Sequence, residues 1–443
     1  MYAHPANICV QLAKEKWVVV NPVHKTVDIL DEEVVQYLSQ VKSAKRPDEN
    51  TLEALYSQGF LTEEPISLAD IYGRFEPPRR SSRVNFAIAC TYDCNLQCTY
   101  CFQKADSGTL DAKSDTATLD TQKIEMLLDA IGELKRELLV LSLDQLSFEI
   151  TGGEPLLPSN RSVVEQLLDG LGNRSPVLIT TNGTHVSEFV DLLSSHYVYL
   201  KITLDGIPSV HDKRKRTITK EGTYDSIVKG IRRARDEDIL VTVKVNVDRH
   251  NFRDLHRLVD RFRSYGWLED EKIRFGLARV RPTSLYPSGW TPAEFVENMC
   301  SYLEKHGLQR LFRVTFKGEE FFEEIFSGRE PETDIYRCKI DKIFFFSPDG
   351  SFCPCIHMTQ YPTGTFFPKF SMSRERINIL KSRTIKSMPK CMQCSYALIC
   401  GGGCPAESLK EHESLFNPMC LDYPRILRAY IPYILQNRFK IRW

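Results

Sequence analysis

The sequence predicts an α/β fold built on a parallel sheet, with a small unit before it and a cysteine-rich unit after it. Six short apolar segments, Asn85–Ala89, Leu146–Thr151, Val177–Thr181, Val198–Leu204, Ile239–Val247 and Ile273–Leu277, alternate with stretches of helical period. Strands separated by helices imply parallel neighbours joined by right-handed crossovers. Residues 1–75 carry their own pattern of strands followed by helices. The 14 cysteines, apart from Cys9 and Cys300, fall in two short regions, 90–101 and 338–420.

Each element has a local reason. Trp17-Val-Val-Val-Asn-Pro and Thr26-Val-Asp-Ile-Leu read as two strands around a turn at Pro22 to Lys25. Asp31 is placed to cap a helix that carries Val34, Val35, Leu38 and Val41 on one face. A second helix, with Leu52 and Leu55, ends near Gly59, a suitable residue just past a helix end. Residues 76–84 contain Glu76-Pro-Pro-Arg-Arg-Ser-Ser-Arg83, which is polar and aperiodic and reads as a linker. Residues 85–285 hold the six strands, with helices marked by Ile124, Leu127, Leu128, Ile131, Leu134 and Leu138 and by Phe252, Leu255, Leu258, Val259 and Phe262. Residues 286–335 form a bridge in which Thr291 caps a helix running to His306. Residues 336–425 are poor in long periodic segments, as expected where metal replaces apolar packing. The tail, 426–443, is basic and aromatic and reads as one last helix.

Composition narrows the function. Of 443 residues, 42% are apolar, enough for a sizeable core and two or three domains. Lys+Arg and Asp+Glu are both 58, a formal net charge of +0, which opposes a general nucleic-acid binder. No apolar run reaches membrane-spanning length, and the N-terminus shows no secretory pattern. A cytoplasmic protein with no membrane partner is expected, and clustered cysteines in such a chain more often bind metal than form disulfides.

The run Cys94-Asn-Leu-Gln-Cys98-Thr-Tyr-Cys101 follows the first strand of the sheet. Three thiolates this close can hold three irons of a 4Fe–4S cube and leave the fourth open to a substrate or cofactor. A zinc site or buried free thiols are the alternatives. Thr151-Gly152-Gly153-Glu154-Pro155 ends the second strand; its glycines permit close backbone approach, and Glu154 can hold an ammonium group. Thr180-Thr-Asn182-Gly-Thr184 and Thr203-Leu-Asp205-Gly206 end the third and fourth strands on the same rim.

The cysteine run resembles the signature of the radical S-adenosylmethionine (radical SAM) enzymes, with Tyr100 in the aromatic place before the last cysteine. The resemblance implies a partial (β/α)6 barrel whose open iron chelates the methionine part of S-adenosyl-L-methionine. Reductive cleavage then gives a radical that takes a hydrogen atom from an unactivated C–H bond. It further implies that Gly152, Gly153 and Glu154 bind the SAM amino group and Thr203 the carboxylate or ribose. Asn182 and Asp205 would act as supports, Asn246 on a ribose hydroxyl and Leu277 on adenine. His211-Asp-Lys-Arg-Lys-Arg216 resembles a run that follows in relatives, with Arg214 or Arg216 available to a carboxylate and a solvated basic loop as the alternative.

The C-terminal cysteines resemble the SPASM domain, which carries two auxiliary clusters and brings the total to three 4Fe–4S clusters. The resemblance gives Cys391, Cys394, Cys400 and Cys420 to the outer cluster and Cys338, Cys355 and Cys404 to the inner one. Either Cys353 supplies the fourth inner ligand, since i and i+2 on a strand share a face, or that iron is open. Cys9, Cys90 and Cys300 read as buried structural thiols. Residues 1–75 resemble the winged-helix-like leader-peptide recognition domain of peptide-modifying relatives.

The resemblance implies an enzyme that takes a hydrogen atom from a side chain of a ribosomally synthesised precursor peptide and forms a C–C, C–O or thioether crosslink. Its partners would be that peptide with its leader and a reductant such as flavodoxin or ferredoxin. Alternatives are an anaerobic sulfatase-type formylglycine maturase, a dehydrogenase of small molecules, and a non-catalytic metal-bearing binding module. The maturase branch places an aspartate where this chain has Ile356, followed by His357. No catalytic base is identifiable in the sequence.

Overall fold

The structure, a computed structural model, describes residues 1–75, 84–103, 118–138, 145–173, 175–333, 338 and 342–441. Of the expected linker, 76–83 lies outside the described residues, and Val84 opens the next strand.

The N-terminal unit runs β1 (Tyr2–Ala3), β2 (Ile8–Ala13), β3 (Lys16–Asn21), β4 (Thr26–Asp31), α1 (Glu32–Leu38), α2 (Glu49–Ser57), β5 (Leu61–Thr62) and α3 (Leu68–Arg74). Strands β2, β3 and β4 form an antiparallel meander, and β1 pairs with β5. Alternation along β3 sends Val18 and Val20 into the main core and Val19 into a second one with Val35, Leu38, Leu52, Leu55 and Phe60. The sequence reading finds β3 and β4 but misses β1, β2 and β5, which are too short or too mixed to show a period. Asp31 sits at the N-cap of α1 without a side-chain capping bond, because its carboxylate pairs with Lys16 at 2.6 Å. Helix α1 stops at Leu38, so Val41 is not on its apolar face but exposed.

The central sheet follows as β6 (Val84–Thr91), α4 (Thr121–Glu137), β7 (Leu146–Gly152), α5 (Arg161–Leu171), β8 (Val177–Thr181), α6 (Val186–Ser194), β9 (Val198–Thr203), α7 (Pro208–Arg214), α8 (Tyr224–Asp236), β10 (Leu240–Val247), α9 (Leu255–Ser264) and β11 (Ile273–Arg279). The six strands stand in sequence order and every pair is parallel, the architecture of an open (β/α)6 barrel. One face carries Ile88, Ile150, Ile179, Ile202 and Val243, all fully buried with the inward stripes of the helices. Burying each such side chain contributes about 1.5–3 kcal/mol. Because the strands are parallel, their carboxyl ends all meet one rim.

Helices α10 (Pro292–Lys305) and α11 (Glu319–Phe326) bridge to the last unit. Thr291 caps α10 in a reciprocal capping box with Glu294, and Pro292 fills the first turn. The cysteine-rich unit holds β12 (Ile343–Phe346), β13 (Ser351–Cys353), β14 (Gly364–Thr365), β15 (Ser371–Met372), α12 (Arg374–Ser382), α13 (Ala397–Cys400) and α14 (Pro405–His412). It is fused to the sheet: β12 pairs in parallel with β6 and β13 to β15 extend it antiparallel, giving ten strands. Phe86, Phe148, Phe344, Phe346 and Phe352 stack across that seam. The final helix, α15 (Tyr423–Asn437), packs on α10 and β2, with Arg425 gripping Glu297 through two bonds of 2.7 and 2.6 Å.

Ile202 lies at the middle of the core, so Ile202→Ala is expected to lower unfolding free energy by about 3 kcal/mol. The exposed Ile218→Ala should stay within about 0.5 kcal/mol. Denaturant titration of both variants measures the difference.

Candidate functional site

The cysteine run leaves β6 as a loop stitched to the rim. Gln97 and Thr99 donate backbone N–H groups to the carbonyls of Arg216 and Arg214, at 2.9 and 3.0 Å. Asn95 bonds the side chains of Asn182 and Thr184 at 2.8 and 3.0 Å. On the other side, Gly153 N–H donates to Thr91 O and Glu154 N–H to Asp93 O, both at 2.8 Å. Gly152 has φ +133°, and a Cβ on Gly153 would stand 2.2 Å from Asp93 O. These glycines therefore admit the backbone that leads into the cysteines.

Glu154 is buried on this rim and accepts from Leu156 N, Thr181 Oγ1 and Asn182 N at 2.9, 2.5 and 2.6 Å. A carboxylate offers about four acceptor positions, so one is left. Burial raises its pKa despite those donors, with nearby Lys215 opposing the rise. A buried carboxylate with an open position fits an ammonium group.

Tyr100, Asp205 and Asn246 are bonded together. The phenol donates to the Asp205 carboxylate and accepts from Asn246 Nδ2 at 3.1 Å, while Asp205 Oδ1 accepts from Asn246 N at 2.9 Å. Asn251 ties the backbone carbonyls of Asp205 and Asn246 at 2.7 and 2.8 Å. Arg214 lies over the Tyr100 ring, 4.8 Å from its centroid, and pairs with buried Asp248 at 2.9 Å. His211, fully buried, accepts from Asp205 N through Nδ1 at 3.0 Å, which fixes the neutral tautomer with its proton on Nε2 toward Thr223 Oγ1. Burial first, then Lys215 and Arg214, hold its pKa well below the usual value.

The sequence reading weighed Arg214 and Arg216 as carboxylate partners and missed Lys215. Arg214 is taken by Asp248. Lys215 is buried, with Nζ 3.5 Å from Thr203 O and within the electrostatic reach of Glu154. Its signal was the four-residue step from His211, which puts both on one side of the helix end. Thr203 and Asn246 share the face turned away from the helices. Leu277 does not: it pairs with Val245 on the helix side, and Ala278 stands beside Asn246.

The cysteines fall into three neighbourhoods. Burial pushes the Cys94 thiol up to about 12, with Glu154, Cys98 and Cys101 adding to the rise. Burial pushes Cys391 to about 12, reinforced by Cys400, Cys394 and Cys420. Cys355 rises to about 11 by burial, and its thiol neighbours are Cys338 and Cys404. Crowded thiols that raise one another fit a polyvalent metal centre, which binds them as thiolates. Among the described residues, no three His, Cys, Asp or Glu side chains converge on a single ion. Thiolates of a cube bind separate irons and need no such convergence. No disulfide joins any of the 14 cysteines.

Burial pushes the Cys353 thiol up to about 12, and the neighbouring Cys355 adds to the rise. Strand β13 ends at Cys353, so the pleat does not carry on to Cys355 and the expected shared face is lost. Its thiol donates to Cys355 O at 3.2 Å and packs with Ala89 and Phe345. Cys90 and Cys300 are buried in the main core, and Cys9 is half-buried beside the second one.

Two cations stand between the C-terminal thiol groups. Lys317 Nζ donates to Gly403 O at 2.6 Å, near Cys338, Cys400 and Cys404. Arg383 is buried and donates to Leu415 O and Gly402 O at 2.5 and 2.9 Å, near Cys338, Cys404, Cys391 and Cys400. His357 packs on Phe102, with centroids 4.6 Å apart, and so joins this unit to the residue after Cys101.

Residues 88–262 match the family described as the Radical SAM superfamily. The cysteine-type anaerobic sulfatase-maturating enzyme of Clostridium novyi is 23% identical over 336 residues, 70% of this chain and 85% of that one. Native anSMEcpe with bound AdoMet superposes with a TM-score of 0.57 at 18% identity, covering 79% of this chain and 96% of the other. Streptococcus suis SuiB bound to precursor peptide SuiA gives 0.54 at 17% identity, covering 94% and 98%. The two superpositions establish a shared fold.

Arg383→Met strands two carbonyls in a buried setting and is expected to lower the thermal midpoint by roughly 5 °C or more. The exposed Arg374→Met should leave it within about 1 °C. Differential scanning calorimetry under anaerobic conditions separates the two.

Proposed function

This chain is an enzyme built on a radical SAM domain, residues 88–262, and from that premise we propose that it modifies a side chain of a ribosomally made precursor peptide. The observation that carries the proposal is the rim itself: three grouped thiols, a buried carboxylate with an acceptor position open, and a buried lysine beside Thr203.

A reduced 4Fe–4S cube with S-adenosylmethionine supplies a carbon radical able to take a hydrogen atom from an unactivated C–H bond. Cys94, Cys98 and Cys101 would hold that cube. Glu154 would accept the ammonium of the methionine moiety in its open position, and Lys215 with Thr203 would take the carboxylate. Gly152 and Gly153 keep this edge against the cysteine loop. Tyr100, Asp205 and Asn246 brace three strand ends and leave Asn246 at the ribose, while Asn182 holds Asn95 of the loop. Leu277 keeps a role in the core behind the adenine position.

Cys391, Cys394, Cys400 and Cys420 would hold an outer auxiliary cluster, and Cys338, Cys355 and Cys404 an inner one. Cys353, whose thiol donates to Cys355 O and packs with Ala89 and Phe345, supports the reading in which the inner cluster takes three thiolates from this chain. Formation of a crosslink removes two hydrogens from the peptide: one as a hydrogen atom, the other as a proton whose electron needs an acceptor. Lys317 and Arg383, held between the thiol groups, stabilise added negative charge there. Residues 1–75 would receive the leader, and a flavodoxin or ferredoxin would supply the first electron.

The likeness to a sulfatase-maturating enzyme favours formylglycine formation as a second reading. Ile356 and His357 offer no carboxylate base at the place where that branch has one, which favours crosslinking.

Anaerobically reconstituted protein should release 5′-deoxyadenosine from SAM under reduction. A Cys94→Ala, Cys98→Ala, Cys101→Ala variant should release at least about 100-fold less, since removing the open-iron site abolishes the step. Wild-type output no higher than the variant's refutes the enzyme reading. With a peptide encoded beside this gene, a product lighter by two hydrogens and inert to hydrazides supports a crosslink; a hydrazide-reactive aldehyde supports formylglycine instead.

A further inference from the structure

The two faces of the six-stranded sheet differ in kind. In a closed barrel, branched apolar side chains fill the interior. Here the face away from the helices carries Glu149, Thr180, Lys201, Thr242 and Lys244, none of them fully buried. These polar residues stand on the strands directly below the rim.

Register fixes how these residues stand. Lys244 is paired with Thr203 across β9 and β10, Thr242 with Lys201, and Lys201 with Thr180 across β8 and β9. Lys201 and Lys244 are thus diagonal neighbours on one face, and Lys244 is level with Thr203. Glu149 accepts from Thr180 Oγ1 at 2.6 Å and lies 3.9 Å from Lys201 Nζ, so Lys201 has a counter-charge.

The ammonium of Lys244 has no hydrogen bond or ion pair among the described residues. The charges around it are Lys201, Asp205, Lys215 and Glu149. Asp205 is committed to Tyr100, Asn246 N and Arg214, and Glu149 to Thr180 and Lys201. Burial and the adjacent lysines lower the Lys244 pKa, the mark of a cation in surplus. A partly desolvated ammonium lacking an anion gains most from a carboxylate, through a charge-assisted bond. Lys215, beside Glu154 and Thr203, already serves the rim, which leaves Lys244 to a ligand on the face below it.

Resting on the radical SAM reading above, we propose that Lys244, flanked by Lys201, is a carboxylate-recognition site, and that the substrate peptide presents a carboxylate next to the residue from which hydrogen is taken.

Selection of displayed random peptides on reconstituted full-length enzyme with SAM tests this. One library is linked through its C-terminus, so that only Asp and Glu side chains supply carboxylates; a second has free C-termini. Wild type should enrich Asp or Glu at one position of the first library, or a fixed peptide length in the second, by about tenfold. Lys244→Met should lose that enrichment, and Lys244→Glu should exchange it for Lys or Arg. The SAM dissociation constant, measured calorimetrically, should change by less than about twofold in both variants. Enrichment by wild type without carboxylate preference, or preference retained in Lys244→Met, overturns this proposal alone. A tenfold loss of SAM affinity in Lys244→Met also overturns it, because the lysine then serves the cofactor. Wild-type protein that neither binds SAM nor selects a peptide overturns the radical SAM reading and this inference with it.

Discussion

The rim depends on one buried carboxylate. Glu154 joins β7 to β8 by accepting from Thr181 and Asn182, and its own backbone N–H joins β7 to the loop after β6. Asn182 passes the constraint to Asn95, between the first two cysteines of the run. The cysteine loop is therefore held from behind by hydrogen bonds that the Glu154 side chain helps to align. A buried anion is costly unless compensated. Three donors compensate it in part and leave one acceptor position of the carboxylate open. Fold and chemistry meet in that residual demand.

Charge on the rest of the rim follows the same logic with different partners. Arg214 is neutralised by Asp248 and braces Tyr100. His211 is kept neutral so that it can accept from the Asp205 backbone. These groups are engaged with one another and act as scaffold. Glu154, Lys215 and Lys244 keep unspent capacity, and Lys215 and Lys244 both stand next to Thr203.

Legibility in the sequence tracked period and spacing. All six parallel strands were readable because apolar residues recur in each, in short runs or at alternate positions, and their observed limits differ from the expected ones by at most a few residues. The motif residues at strand ends were readable because glycines, cysteines and short polar runs recur there. Strands β12 to β15 were not, since Ile343–Phe346 is apolar on both sides and its neighbours are two or three residues long; their fusion to β6 needed three dimensions. Lys215 was hidden in a run of five charged residues whose helical phase decides which one faces inward. The relation of Cys353 to Cys355 was not legible, because β13 ends at Cys353 and strand alternation does not extend past it. Leu277 was placed by analogy of position, whereas strand parity assigns that face to Ala278.

Helix α15 packs on β2, near the other end of the sequence, and covers the apolar side on which Ile8, Val10, Val18 and Val20 lie. A ribosome delivers that meander about 400 residues before its cover. Until α15 emerges those four side chains have no native partner from it, and contacts of such long sequence separation form slowly. The meander waits meanwhile as an aggregation-prone edge best shielded by a chaperone. Docking of α15 thus also reports that the intervening chain has been made: a chain released before it keeps a sticky patch that quality-control proteases can grip.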